Sequence, residues 1–297
     1  MSKHYRVLAA ALIAAAFATA AQAQQQQQQQ QPPFATTKVE GTDGVYIFRN
    51  GGAQSMFIVT KDGVIASDPI GYQRPEGVTD YVNEIKKVTD KPIKYLIYSH
   101  HHFDHISGGK PFKDAGARVI AHKNAKTHLA QTKNPNVVMP DETFDKTKTV
   151  KLGGTTLELT YLGLNHSDSN IVMRLPKEKI VFVVDTIPVG QIPGRGFIDM
   201  FPLEAEDFIK KVIAMDWDRL IPGHPGVGGR LGTKQDARDQ LRLLEEASAE
   251  MKPLGISGKC WGAEKDIKLT SFKDWPGYPA NLEFIGRRYC GVWGRGT

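Results

Sequence analysis

The stretch YLIYSHHHFDHISGG, from Tyr95 to Gly109, places a group of histidines directly after an apolar run. Four histidines and one aspartate occur within residues 100–105, although the whole chain has nine histidines. The preceding segment IKYLIYS is typical of a buried strand, so the cluster is predicted to lie where that strand ends, at the rim of a sheet. Side chains alternate along an extended segment, and His100 and His102 are therefore expected to face the same way, with His101 turned aside as a bystander.

Further ligand-type residues follow other predicted strands. His166 follows TTLELTYLGLN, Asp185 follows KIVFVV, and His224 follows RLIPG. Imidazole and carboxylate groups are ligands of Zn²⁺, and the ends of several strands can meet at one rim of a layered fold. A solvated polar loop is the alternative for the first cluster, but it does not account for ligand types at the other strand ends. The sequence therefore predicts a metal site with the candidate ligands His100, His102, Asp104, His105, His166, Asp185 and His224.

These motifs resemble those of the metallo-β-lactamase superfamily. The segment SHHHFDHISG is similar to the H-x-H-x-D-H signature of that family, and NHSDSN, VVDT and IPGHP follow in the family's order. GVIASDP resembles an early strand of the family whose aspartate, here Asp68, supports the metal site. The resemblance extends from about Val39 to Met251. It is specific for the superfamily and says little about the substrate.

The resemblance implies two zinc ions per chain. The expected ligands of the first ion are His100, His102 and His166. Those of the second ion are Asp104, His105 and His224, and Asp185 is expected to bridge the two ions. Such a pair lowers the pKa of a bridging water from about 15.7 towards about 7, which suits hydrolysis. Asp104 is also expected to be catalytic, by orienting the nucleophile. Asp68 and Ser99 are candidates for fixing the imidazole tautomers.

The implied activity is zinc-dependent hydrolysis of an ester-, lactone-, thioester- or β-lactam-type carbonyl in a small molecule. Family members that hydrolyse β-lactams often carry Cys or Ser where Asp185 stands here, so the substrate is left open. One alternative is a mononuclear non-haem iron dioxygenase of sulfur compounds, which shares the scaffold. A second alternative is a zinc-binding protein without turnover.

The Gly- and Pro-rich loop TIPVGQIPGRGFIDMF follows the predicted bridging aspartate and is expected to line the mouth of the site. Arg195 either binds a substrate carboxylate in bidentate fashion or is a solvated loop residue. Phe197 and Phe201 either form an apolar wall or pin the loop to the core. His122 and His128 flank a predicted helix and are expected to be structural or exposed.

The order of elements predicts an α+β fold. Two strand-rich halves, each joined to helices, indicate a four-layer αββα sandwich of two mixed sheets with outer helices, and a single mixed sheet is the alternative. Apolar residues recur at helical spacing from Val78 to Val88 and from Glu204 onward. Thr233 and Asp236 form the pattern of a capping box at the start of a long helix. The expected buried residues of that helix are Leu241, Leu244, Ala247 and Met251.

The N-terminal sequence predicts an export signal. A basic start, the apolar run VLAAALIAAAFATA and the A-x-A site at residues 21–23 have the layout of a cleavable signal peptide over residues 1–23. A membrane anchor is the alternative, although the apolar run is short for a span. The glutamine tract and two prolines indicate a disordered spacer over residues 24–35. The catalytic domain is then expected over residues 36–251, with a C-terminal tail over residues 252–297.

A signal peptide implies a periplasmic or secreted protein in an oxidising compartment. Cys260 and Cys290 are expected to pair there, and two free thiols are the alternative. The formal net charge of the full chain is +6, without a basic stripe that contains interleaved aromatic residues. The expected partner is therefore a small-molecule substrate and not nucleic acid, and no membrane segment is expected in the mature chain. The oligomeric state is left open.

Overall fold

The computed structural model describes residues 34–74 and 76–297. The predicted signal peptide, and the spacer up to residue 33, lie outside the described residues. The first strand begins at Phe34, so it includes the last two residues of the expected spacer.

The first sheet is built from consecutive strands in chain order. Its strands are β1 (Phe34–Lys38), β2 (Val45–Asn50), β3 (Ala53–Val59), β4 (Val64–Ser67), β5 (Ile93–Ile97), β6 (Arg118–His122) and β7 (Glu142–Phe144). The strands β1 to β4 pair antiparallel, and β4 to β7 pair parallel. The β2–β3 hairpin turns at Gly51, whose φ of +58° suits a residue without a side chain.

The second sheet contains the remaining strands. These are β8 (Thr147–Leu152), β9 (Thr155–Thr160), β10 (Val172–Leu175), β11 (Ile180–Val183) and β12 (Arg219–Pro222), in the spatial order β12-β11-β10-β9-β8. The β11–β12 pair is parallel, and the other pairs are antiparallel. Two separate mixed sheets are therefore present, as predicted, and the alternative of a single mixed sheet is wrong.

The two sheets pack face to face through an apolar core. Alternate residues of a strand enter different cores, as the two-residue period of a strand requires. In β11, Ile180 and Phe182 face the first sheet, whereas Val181 and Val183 face the outer helices of the second sheet. Strands that are buried on both faces appear in the sequence as continuous apolar runs, which explains why KIVFVV carries no polar alternation.

Helices cover the outer face of each sheet and complete the predicted αββα sandwich. Those of the first half are α1 (Glu76–Val88), α2 (Phe103–Ile106), α3 (Lys110–Asp114) and α4 (Lys123–Thr132). Those of the second half are α5 (Pro202–Ala214), α6 (Lys234–Ile256) and α7 (Leu282–Arg295). Every helix of the described residues is too short or too polar to cross a bilayer.

The long helix α6 begins with the predicted capping box. Its cap Thr233 accepts a hydrogen bond from the backbone N–H of Gln235, and Asp236 accepts one from the backbone N–H of Thr233. Arg230 also forms an ion pair with Asp236. The buried face of α6 includes the predicted Leu244, Ala247 and Met251, but Leu241 is only partly buried and Leu243 is fully buried.

The expected boundary between the catalytic domain and a C-terminal tail falls inside α6, which continues past Met251 to Ile256. The following segment packs into the outer core of the second sheet through the buried residues Ile267, Leu269, Phe272, Leu282, Ile285 and Tyr289. It is therefore part of the outer helical layer. Its helix α7 was not predicted, because glycine and proline residues around it interrupt the apolar pattern. Cys260 and Cys290 form the expected disulfide, with their Cα atoms 5.5 Å apart.

Loss of this disulfide should destabilise the fold. The double replacement Cys260→Ala and Cys290→Ala is expected to lower the free energy of unfolding by about 3.5 kcal/mol, because the bond restricts the unfolded chain over a separation of 30 residues. Urea unfolding of both proteins measures the difference. Wild-type protein treated with a phosphine reductant is the control and should unfold like the variant. Equal stability of the oxidised wild type and the variant would contradict a stabilising bond.

Candidate metal centre

All seven predicted ligands meet at one rim of the two sheets. Two of them, His100 and His102, follow β5, and the single-turn helix α2 carries Asp104 and His105 from the same loop. The ligands that follow β9, β11 and β12 of the second sheet are His166, Asp185 and His224. The strand-end pattern in the sequence thus predicted which side chains come together.

The first cluster contains His100, His102, His166 and Asp185, whose ligand-type atoms lie within 4.8 Å of one another. Nε2 of His100 is 3.5 Å from Oδ2 of Asp185, and Nε2 of His166 is 3.3 Å from the same oxygen. Nε2 of His166 also lies 2.9 Å from Nδ1 of His102. Two donors bound to one tetrahedral zinc at 2.0–2.1 Å are about 3.3 Å apart, so this spacing suits a shared ion.

The second cluster contains Asp104, His105, Asp185 and His224, again with all ligand-type atoms within 4.8 Å. Nε2 of His105 is 3.1 Å from Oδ2 of Asp185, and Nε2 of His224 is 3.1 Å from Oδ1 of the same carboxylate. Oδ2 of Asp104 lies 3.5 Å from Nε2 of His105. Asp185 is therefore the residue that both clusters share.

Buried nitrogens in the two clusters support a metal-binding role. Nε2 of His100 and Nε2 of His105 have no hydrogen-bond partner among the described residues. Nε2 of His105 approaches Asp185 closely but without the geometry of a hydrogen bond. Leaving such an atom buried and unpaired costs about 1–3 kcal/mol. A divalent cation would bind these nitrogens, so the donor set present here fits a metal.

Burial keeps two of the imidazoles neutral. It lowers the pKa of His100 well below its usual value, and the neighbouring His102 and His105 lower it further. Burial also lowers the pKa of His166 to about 4, with His102 acting in the same direction against the attraction of Asp185. Neutral imidazole is the form that binds a metal.

His105 and Asp185 each favour the charged form of the other, and a metal bound to His105 would take the place of its proton. Burial disfavours a charge on His105, but Asp185, Asp104 and Asp68 outweigh it and raise the pKa of His105 to about 10. Burial also opposes ionisation of Asp185, yet His105, His224 and His166 hold its pKa well below the usual value. Asp185 is therefore a carboxylate, the form that can bridge two cations.

Both residues predicted to support the site lie beside a predicted ligand. Asp68 is fully buried, and its Oδ1 accepts a hydrogen bond of 2.8 Å from the backbone N–H of Ser99. Its Oδ2 lies 3.9 Å from Nδ1 of His105, and burial raises the pKa of Asp68 to about 6 against the effects of His105 and Ser99. Oγ of Ser99 is 2.9 Å from Nδ1 of His100, which leaves Nε2 of His100 to face the cluster.

The loop that carries His224 is held by the β2–β3 hairpin. Nδ1 of His224 donates a hydrogen bond of 2.7 Å to the carbonyl of Gly52, so its Nε2 faces Asp185. The preceding residue, Gly223, has no room for a side chain, because a Cβ there would lie 2.5 Å from Cγ1 of Val184. The turn before His224 therefore requires glycine.

A network of buried polar side chains joins the loops after β9 and β11, and none of its members is among the residues predicted from the sequence. Oδ1 of Asn165 accepts hydrogen bonds from the backbone N–H of His166 at 2.6 Å and from Oγ1 of Thr186 at 2.7 Å. Nδ2 of Asn170 donates to the carbonyl of Val184 at 2.8 Å. The one sign of this network in the sequence is the pair of asparagines in NHSDSN between two apolar runs. Their hydrogen-bond partners are distant in sequence, so the pattern does not identify them.

A cavity of about 760 Å³ opens over the ligands. Its apolar wall includes Tyr72, Phe103, Ile192, Phe197, Ile198 and Met200. Phe197 serves both roles considered for it, because it lines the cavity and its buried ring lies 6.2 Å from that of Tyr289. Phe201 precedes α5, and the guanidinium of Arg288 lies 5.7 Å from its ring. Arg195 is exposed and lines the cavity.

The C-terminal segment supports this wall. The backbone N–H of Ile192 donates a hydrogen bond of 2.9 Å to the carbonyl of Pro276, and Nδ2 of Asn281 donates to the carbonyl of Ile192 at 3.4 Å. Arg288 donates to the carbonyl of Met200 at the other end of the loop. The segment expected to be a tail thus shapes the entrance to the site.

The remaining histidines of the described chain lie outside both ligand clusters. Nε2 of His122 donates a hydrogen bond of 2.7 Å to the carbonyl of Asp145, which is a structural role. His101 belongs to neither cluster, as predicted, but its ring lies 4.7 Å from that of His102, it lines the cavity, and it stacks on His128. Burial, His102 and His128 lower the pKa of His101 to about 3.

Comparisons with known proteins agree with the fold. The chain is 25% identical over 189 residues to the 2,4-dinitroanisole O-demethylase subunit alpha of Nocardioides sp. (strain JS1661), a match that covers 62% of this chain and 53% of the relative. It is 30% identical over 147 residues to the metallo-beta-lactamase type 2 of Elizabethkingia meningoseptica, covering 49% of this chain and 57% of the relative. The chain thus spans little more than half the length of these two curated relatives.

Solved structures with similar folds include a metallo-beta-lactamase from Pontibacter korlensis, with a TM-score of 0.63 and 22% identity, covering 71% of this chain and 99% of that structure. The metallo-beta-lactamase FIM-1 from Pseudomonas aeruginosa, solved in a mono-zinc form, has a TM-score of 0.62 and 19% identity, covering 73% of this chain and 96% of that structure. At these identities the likeness concerns the fold.

A family model, described as the metallo-beta-lactamase superfamily, matches residues 51–249, which include every predicted ligand. With this match, the αββα sandwich and the two clusters at its rim, the chain belongs to the metallo-β-lactamase superfamily.

Proposed function

We propose that this protein is an exported dinuclear zinc hydrolase that cleaves an ester-, lactone-, thioester- or β-lactam-type carbonyl of a small molecule. The observation that carries the proposal is the position of Asp185, whose carboxylate belongs to two ligand clusters at the base of one cavity. A carboxylate with two oxygens can bind two cations at once. The family assignment supports the same conclusion, since the superfamily consists mostly of metal-dependent hydrolases.

Each proposed ion has three ligands of its own and shares Asp185. The ligands are His100, His102 and His166 for one ion, and Asp104, His105 and His224 for the other. When bound, the two ions supply a water of lowered pKa and a positive charge that polarises a substrate carbonyl. The other imidazole nitrogens of His100 and His224 donate hydrogen bonds to Oγ of Ser99 and to the carbonyl of Gly52, which hold the rings in the required orientation.

Asp104 is proposed to act on the reacting water as well as on a metal. Its side chain is 46% exposed and lines the cavity, whereas that of Asp185 is only 9% exposed. One carboxylate oxygen of Asp104 can therefore reach the bound substrate and accept a proton or a hydrogen bond from the nucleophile. Asp185 lies too deep for this role.

The cavity favours a substrate with apolar parts. Most of its wall area is apolar, and Arg195 is a cation on the wall that could contact a carboxylate of the substrate. Asp199 lies on the same wall and limits the positive charge there. This arrangement suits an apolar acyl compound with at most a single negative charge.

Export is part of the proposal and is supported by two features. The first is the signal-like sequence of residues 1–23. The second is the disulfide between Cys260 and Cys290, a bond that persists in oxidising compartments.

The two alternative functions, an iron dioxygenase and a zinc-binding protein without turnover, account for fewer of the residues at the rim. A mononuclear iron dioxygenase would need one of the clusters and would leave the other without a function. A zinc-binding protein without turnover does not explain why the ligands lie open to a cavity of about 760 Å³. Metal analysis and an activity test separate these possibilities.

Metal content tests the ligand assignment. Untagged protein dialysed against metal-free buffer should retain two zinc ions per chain, and His102→Ala should lose about one of them, because that replacement removes an imidazole from one cluster only. Elemental analysis against protein concentration gives the ratio. His122→Gln, which removes a buried imidazole outside both clusters, should retain both ions. Two ions in His102→Ala, or a single iron in the wild type, would argue against the assignment.

Loss of the exposed ligand carboxylate tests catalysis. Asp104→Asn should lower kcat/KM for carbonyl substrates by about 10²–10⁴-fold, the usual contribution of a positioned proton acceptor. The panel contains nitrocefin, an acyl lactone, a thioester and, because of the demethylase relative, 2,4-dinitroanisole.

The matched control is Asp43→Asn, which removes an exposed carboxylate that belongs to neither cluster and does not line the cavity, and it should retain nearly the wild-type rate. Turnover of dinitroanisole and of no carbonyl substrate would contradict the proposed hydrolysis of a carbonyl. An equal decrease of kcat/KM in the two variants would contradict a catalytic role of Asp104.

A further inference from the structure

A third group of ligand-type side chains lies beside the two clusters. His101 follows β5, His128 belongs to α4, and Asp168 lies in the loop after β9. One ligand-type atom from each lies within 4.8 Å of the other two. We propose that these three residues form a separate binding site for a divalent transition-metal ion such as Zn²⁺, at the rim of the cavity.

The distances within this group suit such an ion. Nε2 of His128 is 2.8 Å from Oδ1 of Asp168, and Nδ1 of His101 is 3.9 Å from the same oxygen. The two imidazole rings are stacked, with centroids 3.9 Å apart and planes inclined by 16°. Donors on one tetrahedral zinc are about 3.3 Å apart, so side-chain movements of about 1 Å would complete the site.

The three side chains are already held near these positions. Nδ2 of Asn124, in the same helix as His128, donates a hydrogen bond of 2.7 Å to the carbonyl of Asp168 and so ties the loop to the helix. Oγ of Ser169 lies 2.7 Å from Nδ1 of His101. An ion would replace this hydroxyl as the partner of Nδ1 or would bind it as well. Because the backbone is fixed, binding would not have to order the loop.

The exposure of the group distinguishes it from the buried centre. The side chains of His101, His128 and Asp168 are 22%, 34% and 34% exposed, so an ion can enter from solvent and keep water molecules in its open positions. His101 adjoins the ligands His100 and His102 in sequence. Cations in the central clusters would therefore repel an ion at the third site, which should fill last and most weakly.

A metal site would also account for the presence of His101 beside the His128–Asp168 ion pair. His128 and Asp168 alone would suffice to fasten α4 to the loop. His101 stacks on His128 and places a second imidazole nitrogen 3.9 Å from the same carboxylate. Two imidazoles and one carboxylate form a common zinc donor set. Because His101 lines the cavity, an ion there would add a positive charge at its entrance.

Zinc titration of the full-length, untagged chain tests the site. Equilibrium dialysis against increasing Zn²⁺ should give the wild type one more equivalent per chain than His128→Gln, taken up in the last and weakest step. Asp168→Asn should also bind one zinc ion fewer than the wild type. If His128→Gln does not fold, the result for Asp168→Asn tests the site. The control Lys126→Gln alters an exposed residue of the same helix and should keep the wild-type count.

The test measures the difference in bound zinc between the wild type and a variant. This difference is the same whatever number of ions the central clusters hold. A failure of the dinuclear proposal would lower the counts of wild type and variants alike and would leave the difference of one. Equal counts and equal weakest affinities in the wild type and in a folded His128→Gln or Asp168→Asn protein would overturn the third site.

Discussion

One buried carboxylate, Asp185, surrounded by imidazoles from several loops, is the interaction on which the centre depends. Burying a single charge costs several kcal/mol unless partners compensate it, and here His105 and His224 do so. The chain has to bring these partners to the carboxylate from strands of two different sheets. The face-to-face packing of the sheets places the strand ends at one rim and thereby meets this requirement.

The loops at that rim are held by hydrogen bonds that do not themselves involve a metal. The Asn165–Thr186 bond joins the loops that carry two of the ligands, and Gly52 of the β2–β3 hairpin orients His224. The C-terminal segment holds the opposite wall of the cavity through Pro276 and Asn281. The side chains of the two clusters are therefore positioned by the fold, so that an ion would find most of its donors in place.

The ligands and the layered fold could be predicted from the sequence because their signals are local. Apolar runs followed by His or Asp mark the strand ends, and the spacing of Thr233 and Asp236 marks the start of α6. The family motifs then assign each ligand to a cluster. These local patterns contain no information on distances, so the sharing of Asp185 between the clusters could be expected only from the resemblance.

The features that were missed depend on contacts between residues distant in sequence. Helix α7 is stabilised by packing on α6 and by the disulfide, and its own glycines weaken the helical pattern. The hydrogen bond between Asn165 and Thr186 likewise joins two different loops, and the stacking of His101 on His128 joins a loop to helix α4. No short segment could have indicated them.

The most direct test of a cation pair bridged by Asp185 is a crystal structure of zinc-loaded protein with anomalous diffraction recorded on both sides of the zinc edge. Two peaks with one carboxylate oxygen of Asp185 within about 2.0–2.2 Å of at least one ion, and its side chain between them, would agree with the account. A single central peak that His105 and His224 do not contact, or ions bound without Asp185, would contradict it.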